Sequence, residues 1–277
     1  MDIAKLAVLG SGSMGTAILA GLIKAGLDPA RVCVTTKTQN SADALAARFG
    51  VEAIALETNP QANIVAASGA SVILAAVKPA YLLPTLQQVS TALDPEALVI
   101  SVAAGITTAS MEGELPASVG VVRAMPNTPA IIGQALTGLA AGSRTTQPQL
   151  ATAEQLFETV GKVVVLPENL IDELGTISGS GPAYVFFLIE EFVRTAQEMG
   201  FDAQTADLLV RQTFLGAVNL LEASSKTPQE LRAQVTSPNG TTMRAIAVLE
   251  DSALHRIFNT ATKAALARSK EIAAGLS

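Results

Sequence analysis

The chain has 277 residues, of which 49% are hydrophobic and only 15% are charged, with no Trp. This length suits two domains better than one, and so few charges favour an Ala-rich fold with much of its surface in subunit contacts. The net charge of -6 and the absence of a basic cluster argue against nucleic acid as a partner.

One Cys and one His limit the chemistry that the chain can carry out. A single Cys excludes an intrachain disulfide, and Cys33, between two valines, is expected to be a small core residue. Without further His or Cys, neither a nucleophilic triad nor a His/Cys metal site is expected. The apolar runs are too short to span a bilayer, and the N-terminus has no signal-peptide features, so we expect a cytoplasmic protein without membrane contact.

Residues 1–167 alternate short β-branched runs with helical stretches, which is typical of a parallel sheet covered by helices on both faces. The predicted strands are Lys5–Leu9, Arg31–Thr35, Val72–Ala76, Leu98–Val102, Gly120–Arg123, Leu136–Ala141 and Val163–Leu166. The predicted helices are Met14–Ala25, Ser41–Phe49, Pro79–Gln88 and Pro148–Val160.

Residues 168–277 show helical periodicity and form the second predicted domain. A first helix from Pro182 has one apolar stripe; its members are Val185, Ile189, Phe192, Ala196 and Met199. A second helix covers 204–223, and a third begins at Thr227, whose capping box with Glu230 is a strong start signal. After a loop at 236–241, helices follow over Met243–Glu250 and Ser252–Ala274.

A glycine-rich segment follows the first predicted strand directly and opens a helix. In it Gly10 permits a tight turn, Gly12 lets the backbone approach a pyrophosphate, and Gly15 lets helix and strand pack closely. This context predicts a Rossmann-like dinucleotide site rather than an ordinary glycine turn. The predicted cofactor contacts here are Gly10, Ser11, Gly12, Ser13, Met14 and Gly15.

The second strand ends in polar residues, where an NAD-preferring site carries an acid that binds the adenosine 2′-hydroxyl. The segment Thr35–Thr38 offers hydroxyls and an ammonium group instead, which suit a 2′-phosphate. We therefore expect NADPH as cofactor, with NADH possible, and contacts from Thr36 and Lys37. The alternative is a polar loop that only contacts solvent.

Two further loops lie at the carboxyl edge of the predicted sheet, where ligands of open α/β folds bind. Ala76, Val77, Lys78 and Pro79 end one strand, and Lys78 is either a cofactor contact or a solvated charge. The prolines around Asn127 impose an extended backbone that fixes the position of this residue. Asn127 then either lines the cofactor site or belongs to a simple rigid turn.

Two segments of the helical part combine hydroxyls and glycines ahead of a helix. Ser178–Pro182 and Thr236–Thr242 both direct amides and hydroxyls to a positive helix end. One such loop can be explained by packing alone. Two of them beside a dinucleotide domain suggest a carboxylate pocket.

The segment LRAQVTSPNGTTMRAIAVLE, residues 231–250, resembles the signature of pyrroline-5-carboxylate reductases, and AVKP, MPNTP and ISGSGPAY occur in the matching order. The similarity covers essentially the whole chain. One departure is Asn239 before Gly240, where the family usually has two glycines. Because Asn tolerates left-handed backbone angles, we expect the turn to persist, with a small effect on substrate affinity at most.

The resemblance implies a Rossmann-like domain followed by an all-α helical dimerisation domain, in a homodimer or a larger homo-oligomer. It implies reduction of 1-pyrroline-5-carboxylate to L-proline, the final step of proline biosynthesis, with NAD(P)H. Thr242 is then the catalytic candidate, a hydroxyl near the ring nitrogen. The implied substrate-binding residues are Ser178, Gly179, Ser180, Ser237, Gly240, Thr241 and Thr242.

Three alternatives compete with this interpretation. A β-hydroxyacid dehydrogenase has a lysine four residues after the second glycine of its GxG loop, where this chain has Val185. An F420-dependent NADP oxidoreductase resembles the N-terminal half but does not account for residues 231–250. A noncatalytic NADP-binding sensor stays open, although it leaves the two carboxylate-like loops unexplained.

Overall fold

The computed structural model describes residues 3–273. Within this range eight strands form a sheet in the hydrogen-bonded order β3-β2-β1-β4-β5-β6-β7-β8. The strands are β1 (Leu6–Leu9), β2 (Val32–Thr36), β3 (Glu52–Ala55), β4 (Val72–Ala75), β5 (Leu98–Ser101), β6 (Gly120–Met125), β7 (Ala135–Ala141) and β8 (Gly161–Val165). All neighbouring strands are parallel except β6 and β7.

Helices cover both faces of this sheet, and the central strands are buried on both sides, as in other parallel sheets. Along β1, Leu6 and Val8 belong to one apolar cluster, whereas Ala7 and Leu9 belong to another. The helices are α1 (Ser13–Lys24), α2 (Gln39–Phe49), α3 (Ala62–Ala67), α4 (Pro79–Val89), α5 (Thr108–Gly113), α6 (Gln147–Glu158) and α7 (Ile171–Leu174).

All seven predicted strands are present, with ends shifted by a few residues at most. The prediction missed β3, α3, α5 and α7. The strand β3, with the sequence EAIA, has only one β-branched residue, and the three helices have four to six residues each and therefore little periodicity. The prediction was wrong in treating β6 and β7 as parallel. The connection over 126–134 holds a single short 3₁₀ helix, and a parallel pair requires a crossover of about a dozen residues or more.

Compact packing divides the described residues into two units. The first contains the residues up to Ser180 and those from Ala265 onward, and the second is Gly181–Ala264. The predicted division at residue 167 therefore falls before α7, whose Ile171 is fully buried in the first unit. The remaining helices are α8 (Gly181–Glu198), α9 (Ala203–Ala223), α10 (Pro228–Gln234), α11 (Thr241–Asp251) and α12 (Leu254–Ala273). The predicted helix end at Ala274 lies outside the described residues.

In the second unit α8 packs on α9 around a small core of Ala196, Ala206 and Val210. The predicted stripe of α8 is divided, because Ile189 and Ala196 face this core while three of its members stay exposed. These three are Val185, Phe192 and Met199. No helix of residues 3–273 is long and apolar enough to cross a membrane.

Candidate active site

The glycine loop joins β1 to α1, and each of its three glycines has a distinct environment. Gly10 has a φ of +83°, and a Cβ there would lie 2.9 Å from Val77 Cγ1. A Cβ on Gly15 would lie 2.8 Å from the Gly10 carbonyl oxygen. Around Gly12, in contrast, no described atom lies within 4 Å of that position. Packing therefore requires Gly10 and Gly15, whereas Gly12 borders open space of the kind a pyrophosphate needs.

The N-terminus of α1 follows this open space. The first hydrogen bond of the helix is donated by the Thr16 amide to the Gly12 carbonyl oxygen, at 2.9 Å. The first amides of a helix have no partner within the helix. Among the described residues no side chain caps α1 either, so the amides of Ser13 to Gly15 are left without a partner. Unpartnered amides at a positive helix end bind anions. The loop and this helix end thus fit the diphosphate of a dinucleotide.

Thr35, near the end of β2, holds the glycine loop through a hydrogen bond to Gly10. Its buried hydroxyl accepts the Gly10 amide at 3.1 Å and donates to Asn63 Oδ1 at 2.8 Å. Asn63 Nδ2 in turn donates to Gln88 Oε1 at 3.0 Å. The sequence prediction missed Asn63 and Gln88, because they lie on α3 and α4 and belong to no local motif.

The expected contacts to the adenosine 2′ position lie just beyond Thr35. Thr36 is buried, and its hydroxyl donates to the Thr38 carbonyl oxygen at 2.8 Å, so this hydroxyl is already engaged. Lys37 is exposed. The carboxylate of Glu57, which follows β3, accepts the backbone N–H of Gln39, the first residue of α2. The segment after β2 contains no acid of its own, but Glu57, just after the neighbouring strand β3, places a carboxylate beside it.

The segment Ala76–Pro79 lies where the prediction placed it, at the carboxyl end of β4. The Ala76 amide donates to the Leu9 carbonyl oxygen at 2.8 Å, and Val77 packs against Gly10. Lys78 precedes α4 and is exposed. Ala76 and Val77 therefore shape the glycine loop, and Lys78 stays a candidate cofactor contact.

Asn127 ties β6 to two other elements of the first unit. Its backbone is extended, as predicted, with φ -124° and ψ 169°. The side-chain Oδ1 accepts the Leu136 amide at 3.0 Å, and Nδ2 donates to the Ser178 carbonyl oxygen at 3.0 Å. The carboxyl edge of the sheet and the Ser178 segment, both predicted from sequence, are thus in direct contact.

The predicted loop at Ser178–Pro182 is wrong. Residues 175–179 form a π-helical turn between α7 and α8, in which the Ser180 amide donates to the Gly175 carbonyl oxygen at 2.9 Å. A Cβ on Gly175 or Gly179 would lie 3.0 or 3.2 Å from Met125 Cε, so these glycines admit the methionine. Single π turns inside helices are frequent at functional sites.

The π turn leaves fewer free groups than an open loop would. The Ser178 hydroxyl donates to the Leu174 carbonyl oxygen at 3.2 Å, and Gly179 lies within the turn. The Ser180 hydroxyl has no hydrogen-bond partner among residues 3–273. Of the predicted group Ser178, Gly179 and Ser180, the last keeps its hydroxyl available for a ligand.

Arg123 is a buried charge that the sequence prediction did not single out. It is 2% exposed, and its guanidinium contacts Asp172 at 2.5 Å and Glu168 at 3.7 Å. Glu168 also accepts the amide and the hydroxyl of Thr108 at 2.6 and 2.7 Å. The network joins β6 and α5 to the segment that leads into the π turn.

In the second unit, Ser237, Gly240, Thr241 and Thr242 surround the start of α11. The Gly240 amide donates to the Ser237 carbonyl oxygen at 3.0 Å, and a Cβ on Gly240 would collide with Ser237 Oγ. Asn239 has a φ of 59°, which confirms the left-handed angle expected from the sequence. This turn therefore forms with Asn in place of the family's usual glycine.

The helix α11 begins at Thr241, two residues before the predicted start at Met243, so both threonines lie in its first turn. Its N-cap is Gly240, and no described side chain caps it. Within residues 3–273 the hydroxyls of Thr241 and Thr242 have no hydrogen-bond partner. Free hydroxyls and amides at one positive helix end suit a carboxylate.

The remaining reactive side chains lie outside these segments. Cys33 is buried in the sheet, as expected, and burial raises the pKa of its thiol from 9.0 to about 12, with Glu52 contributing. His255 is exposed on α12. Among the described residues no group of three or more His, Cys, Asp or Glu could hold a metal ion.

Comparison with known proteins assigns the chain to a family. Residues 168–272 match the model described as pyrroline-5-carboxylate reductase dimerisation. The pyrroline-5-carboxylate reductase of Corynebacterium melassecola is 36% identical over 270 residues, which cover 96% of this chain and 98% of the relative. The chain belongs to the pyrroline-5-carboxylate reductase family. The reductase of Pseudomonas aeruginosa is 35% identical over 99% of this chain and 98% of its own length.

The family's solved structures have the same fold. The pyrroline-5-carboxylate reductase of Coxiella burnetii has a TM-score of 0.90 and 36% identity, with 98% of both chains covered. The reductase of Plasmodium falciparum, solved with NADP bound, has a TM-score of 0.84 and 24% identity, with 98% of both chains covered. The predicted Rossmann-like domain followed by a helical dimerisation domain is confirmed.

The pyrroline-5-carboxylate reductase family comprises NAD(P)H-dependent oxidoreductases that catalyse the final step of proline biosynthesis. Residues 5–105 also match the model described as NADP oxidoreductase, coenzyme F420-dependent. The glycine loop, the open space at Gly12 and the uncapped start of α1 lie in this range. The dimerisation match indicates a homo-oligomer and covers the helices that expose Phe186, Phe192 and Leu215.

Proposed function

We propose that this chain reduces 1-pyrroline-5-carboxylate to L-proline with a hydride from NADPH. The observation that carries the proposal is the match to reductases of this name along 96% to 99% of the chain, at 35% to 36% identity. Such coverage includes both the nucleotide segments and residues 231–250. A protein that only shares the nucleotide fold would match the first part alone.

NADPH would bind along the carboxyl edge of the sheet and supply the hydride to C5 of the imine ring. The amides of Ser13 to Gly15 and the open space at Gly12 would receive its diphosphate. Lys37 would face the 2′-phosphate, and Lys78 and Asn127 would border the remainder. Ser11, Ala76, Val77 and Pro79 would shape this surface, and Thr36 would contribute its backbone.

The substrate carboxylate would bind at the start of α11. The unpartnered hydroxyls of Thr241 and Thr242, with the amides of the first turn, provide donors at a positive helix end. Ser237 and Gly240 form the adjoining turn. The family resemblance also assigns Ser178, Gly179 and Ser180 to substrate binding, and of these Ser180 keeps a free hydroxyl.

The protein's residues need to orient the ring rather than supply a strong acid. A protonated imine is already electrophilic, so alignment of donor and acceptor provides most of the catalysis. We assign to Thr242 the contact with the ring nitrogen, where its hydroxyl would fix the imine N–H. The role requires no His or Cys.

We propose that residues 168–277 form the dimerisation and substrate-binding domain, and that dimers assemble further into a larger ring. Exposed apolar side chains support extensive subunit contacts, since large exposed patches usually mark interfaces. They include Phe186, Phe187 and Phe192 on α8, Leu208, Leu215 and Val218 on α9, and Ile257 and Phe258 on α12. A cytoplasmic location, as expected from the sequence, is part of the proposal.

The test is to purify the protein and follow NADPH and NADH oxidation with 1-pyrroline-5-carboxylate. Larger cyclic imino acids and a β-ketoacid serve as comparison substrates. Turnover of the five-membered imine well above the comparison substrates supports the proposal. NADPH binding without turnover of any of them would instead favour a noncatalytic sensor.

A further inference from the structure

Glu57 lies beside the end of β2, although it is far from β2 in sequence. The strands β2 and β3 are parallel, with Thr36 opposite Ala55. Beyond this pair, the Leu56 amide donates to the Thr36 carbonyl oxygen at 2.9 Å, and the Glu57 amide donates to the Lys37 carbonyl oxygen at 3.2 Å. The pairing therefore fixes the backbone of Glu57 next to Lys37.

The Glu57 side chain extends the contact to the start of α2. Its Oε1 accepts the backbone N–H of Gln39, the first residue of the helix after the Thr38 N-cap. Thr38 Oγ1 accepts the Ser41 amide at 3.4 Å. Two donors of the first turn are thus already occupied, one of them by a carboxylate.

This position matters because a dinucleotide's adenosine 2′ substituent is recognised at the end of β2. A 2′-phosphate carries close to two negative charges and binds amides and cations, whereas a 2′-hydroxyl can donate to a carboxylate. Glu57 would repel the phosphate and occupy an amide that could bind it. Lys37 would act in the opposite direction.

We propose that Glu57 is a specificity-determining residue that weakens the preference of this reductase for NADPH over NADH. The inference rests on the proposed cofactor site at the end of β2. The exposed Lys37 favours the phosphate, and Glu57, which follows the neighbouring strand β3, opposes it. The cofactor choice is therefore set by two residues that follow different strands, and the β2 motif alone overstates the preference for NADPH.

The first measurement is the ratio of kcat/KM for NADPH to that for NADH in the wild type and in Glu57→Gln. Glutamine keeps the size and can still accept the Gln39 amide, but it carries no charge. We expect the ratio to rise about fivefold, the change produced by removing about 1 kcal/mol of repulsion between exposed charges. Glu57→Ala, which also frees the Gln39 amide, should raise it at least as much.

A binding measurement separates this effect from catalysis. Adenosine 2′,5′-bisphosphate and adenosine 5′-monophosphate differ only in the 2′-phosphate, and calorimetry gives their affinities for each variant. Glu57→Gln should bind the bisphosphate about fivefold more tightly than the wild type does, with the monophosphate unchanged. Equal changes for both ligands would overturn the proposal.

Asp43→Asn is the matched control. Its carboxylate accepts Gln39 Nε2 at 2.8 Å on the same helix, so the substitution removes the same charge without affecting the backbone amide. If Asp43→Asn shifts the ratio as much as Glu57→Gln does, or if neither shifts it, Glu57 has no specific role. If the wild type fails to reduce the imine, the proposed function is wrong. The affinities for the bisphosphate and the monophosphate still decide the role of Glu57 in that case.

Discussion

Thr35 donates its hydroxyl hydrogen to Asn63 at 2.8 Å, and this contact fixes which way the hydroxyl points. The Asn63 amide is itself oriented, because its Nδ2 donates to Gln88, whose Nε2 donates to the Pro60 carbonyl oxygen at 3.2 Å. A hydroxyl has a single hydrogen, so Thr35 can then only accept from the Gly10 amide. The chain of side chains positions the first residue of the glycine loop.

Removing this hydroxyl should weaken cofactor binding. In Thr35→Val the Gly10 amide and Asn63 both lose a buried partner, which costs about 1–3 kcal/mol of stability. Because the loop loses its anchor, we expect the Kd for NADPH to rise roughly tenfold, which corresponds to about 1.4 kcal/mol. Fluorescence titration with NADPH measures this Kd.

Thr35→Ser is the matched control, since it keeps the hydroxyl and should restore most of the affinity. The KM for the imine should stay near the wild-type value in both variants. A wild-type NADPH affinity in Thr35→Val would show that the anchor is dispensable.

The Thr242 hydroxyl is expected to act on the substrate and not on the cofactor. Thr242→Val keeps the shape of the side chain and removes its hydrogen-bonding group. If the hydroxyl aligns the imine, kcat/KM for 1-pyrroline-5-carboxylate should fall about 10- to 100-fold, as one aligned hydrogen bond to a charged group contributes about 1.5–3 kcal/mol. Steady-state kinetics with saturating NADPH measures this loss.

Thr236→Val provides the comparison, because the Thr236 hydroxyl donates to the Arg232 carbonyl oxygen in the preceding helix. That variant should keep nearly full activity, and Thr242→Val should bind NADPH as the wild type does. Parallel loss of cofactor binding and turnover in Thr242→Val would contradict the assignment.

The buried ion pair of Arg123 should matter more for stability than pairs on the surface. Asp172→Ala leaves the Arg123 guanidinium, 2% exposed, with only the longer contact to Glu168, and should cost about 3 kcal/mol. Asp207→Ala breaks a 3.2 Å pair with Arg211 in which both side chains are more than half exposed, and should cost less than about 1 kcal/mol.

Urea unfolding at one fixed protein concentration compares the two variants, because subunit association contributes to the measured stability. Similar losses in both would mean that the Arg123 pair is no stronger than a solvated one.

Local patterns in the sequence predicted the parts of the site that depend on local chemistry. A buried strand followed by Gly10–Gly15 defines its own turn and helix start, and Asn239 adopts the backbone angle that its side chain favours. Both features need only neighbours along the chain. The seven strands predicted correctly in the first unit reflect the same kind of short-range information.

The parts that were missed depend on contacts between distant segments. The serine and glycine run at 178–181 indicates a loop by propensity, but packing of Met125 against Gly175 and Gly179 allows a π-helical turn there. Glu57 became relevant only through the pairing of β2 with β3, a strand whose sequence EAIA gives almost no β-branched signal. No pattern within either segment reports such contacts.

The buried thiol of Cys33 should make the protein less stable at high pH. Burial, with Glu52 close by, raises the pKa of the thiol from 9.0 to about 12 in the folded state. The folded protein therefore holds this proton more tightly than the unfolded chain. The resulting stabilisation is complete below pH 9 and is lost as the pH rises from 9 toward 12.

Cys33→Ala isolates this contribution, because all other titrating groups remain in both proteins. Between pH 8 and pH 10 the free energy of unfolding should fall about 1 kcal/mol further in the wild type than in the variant. Urea unfolding of both proteins at each pH measures the difference. Equal pH dependence would mean that the thiol ionises as easily in the folded protein as in the unfolded chain, which its 1% exposure argues against.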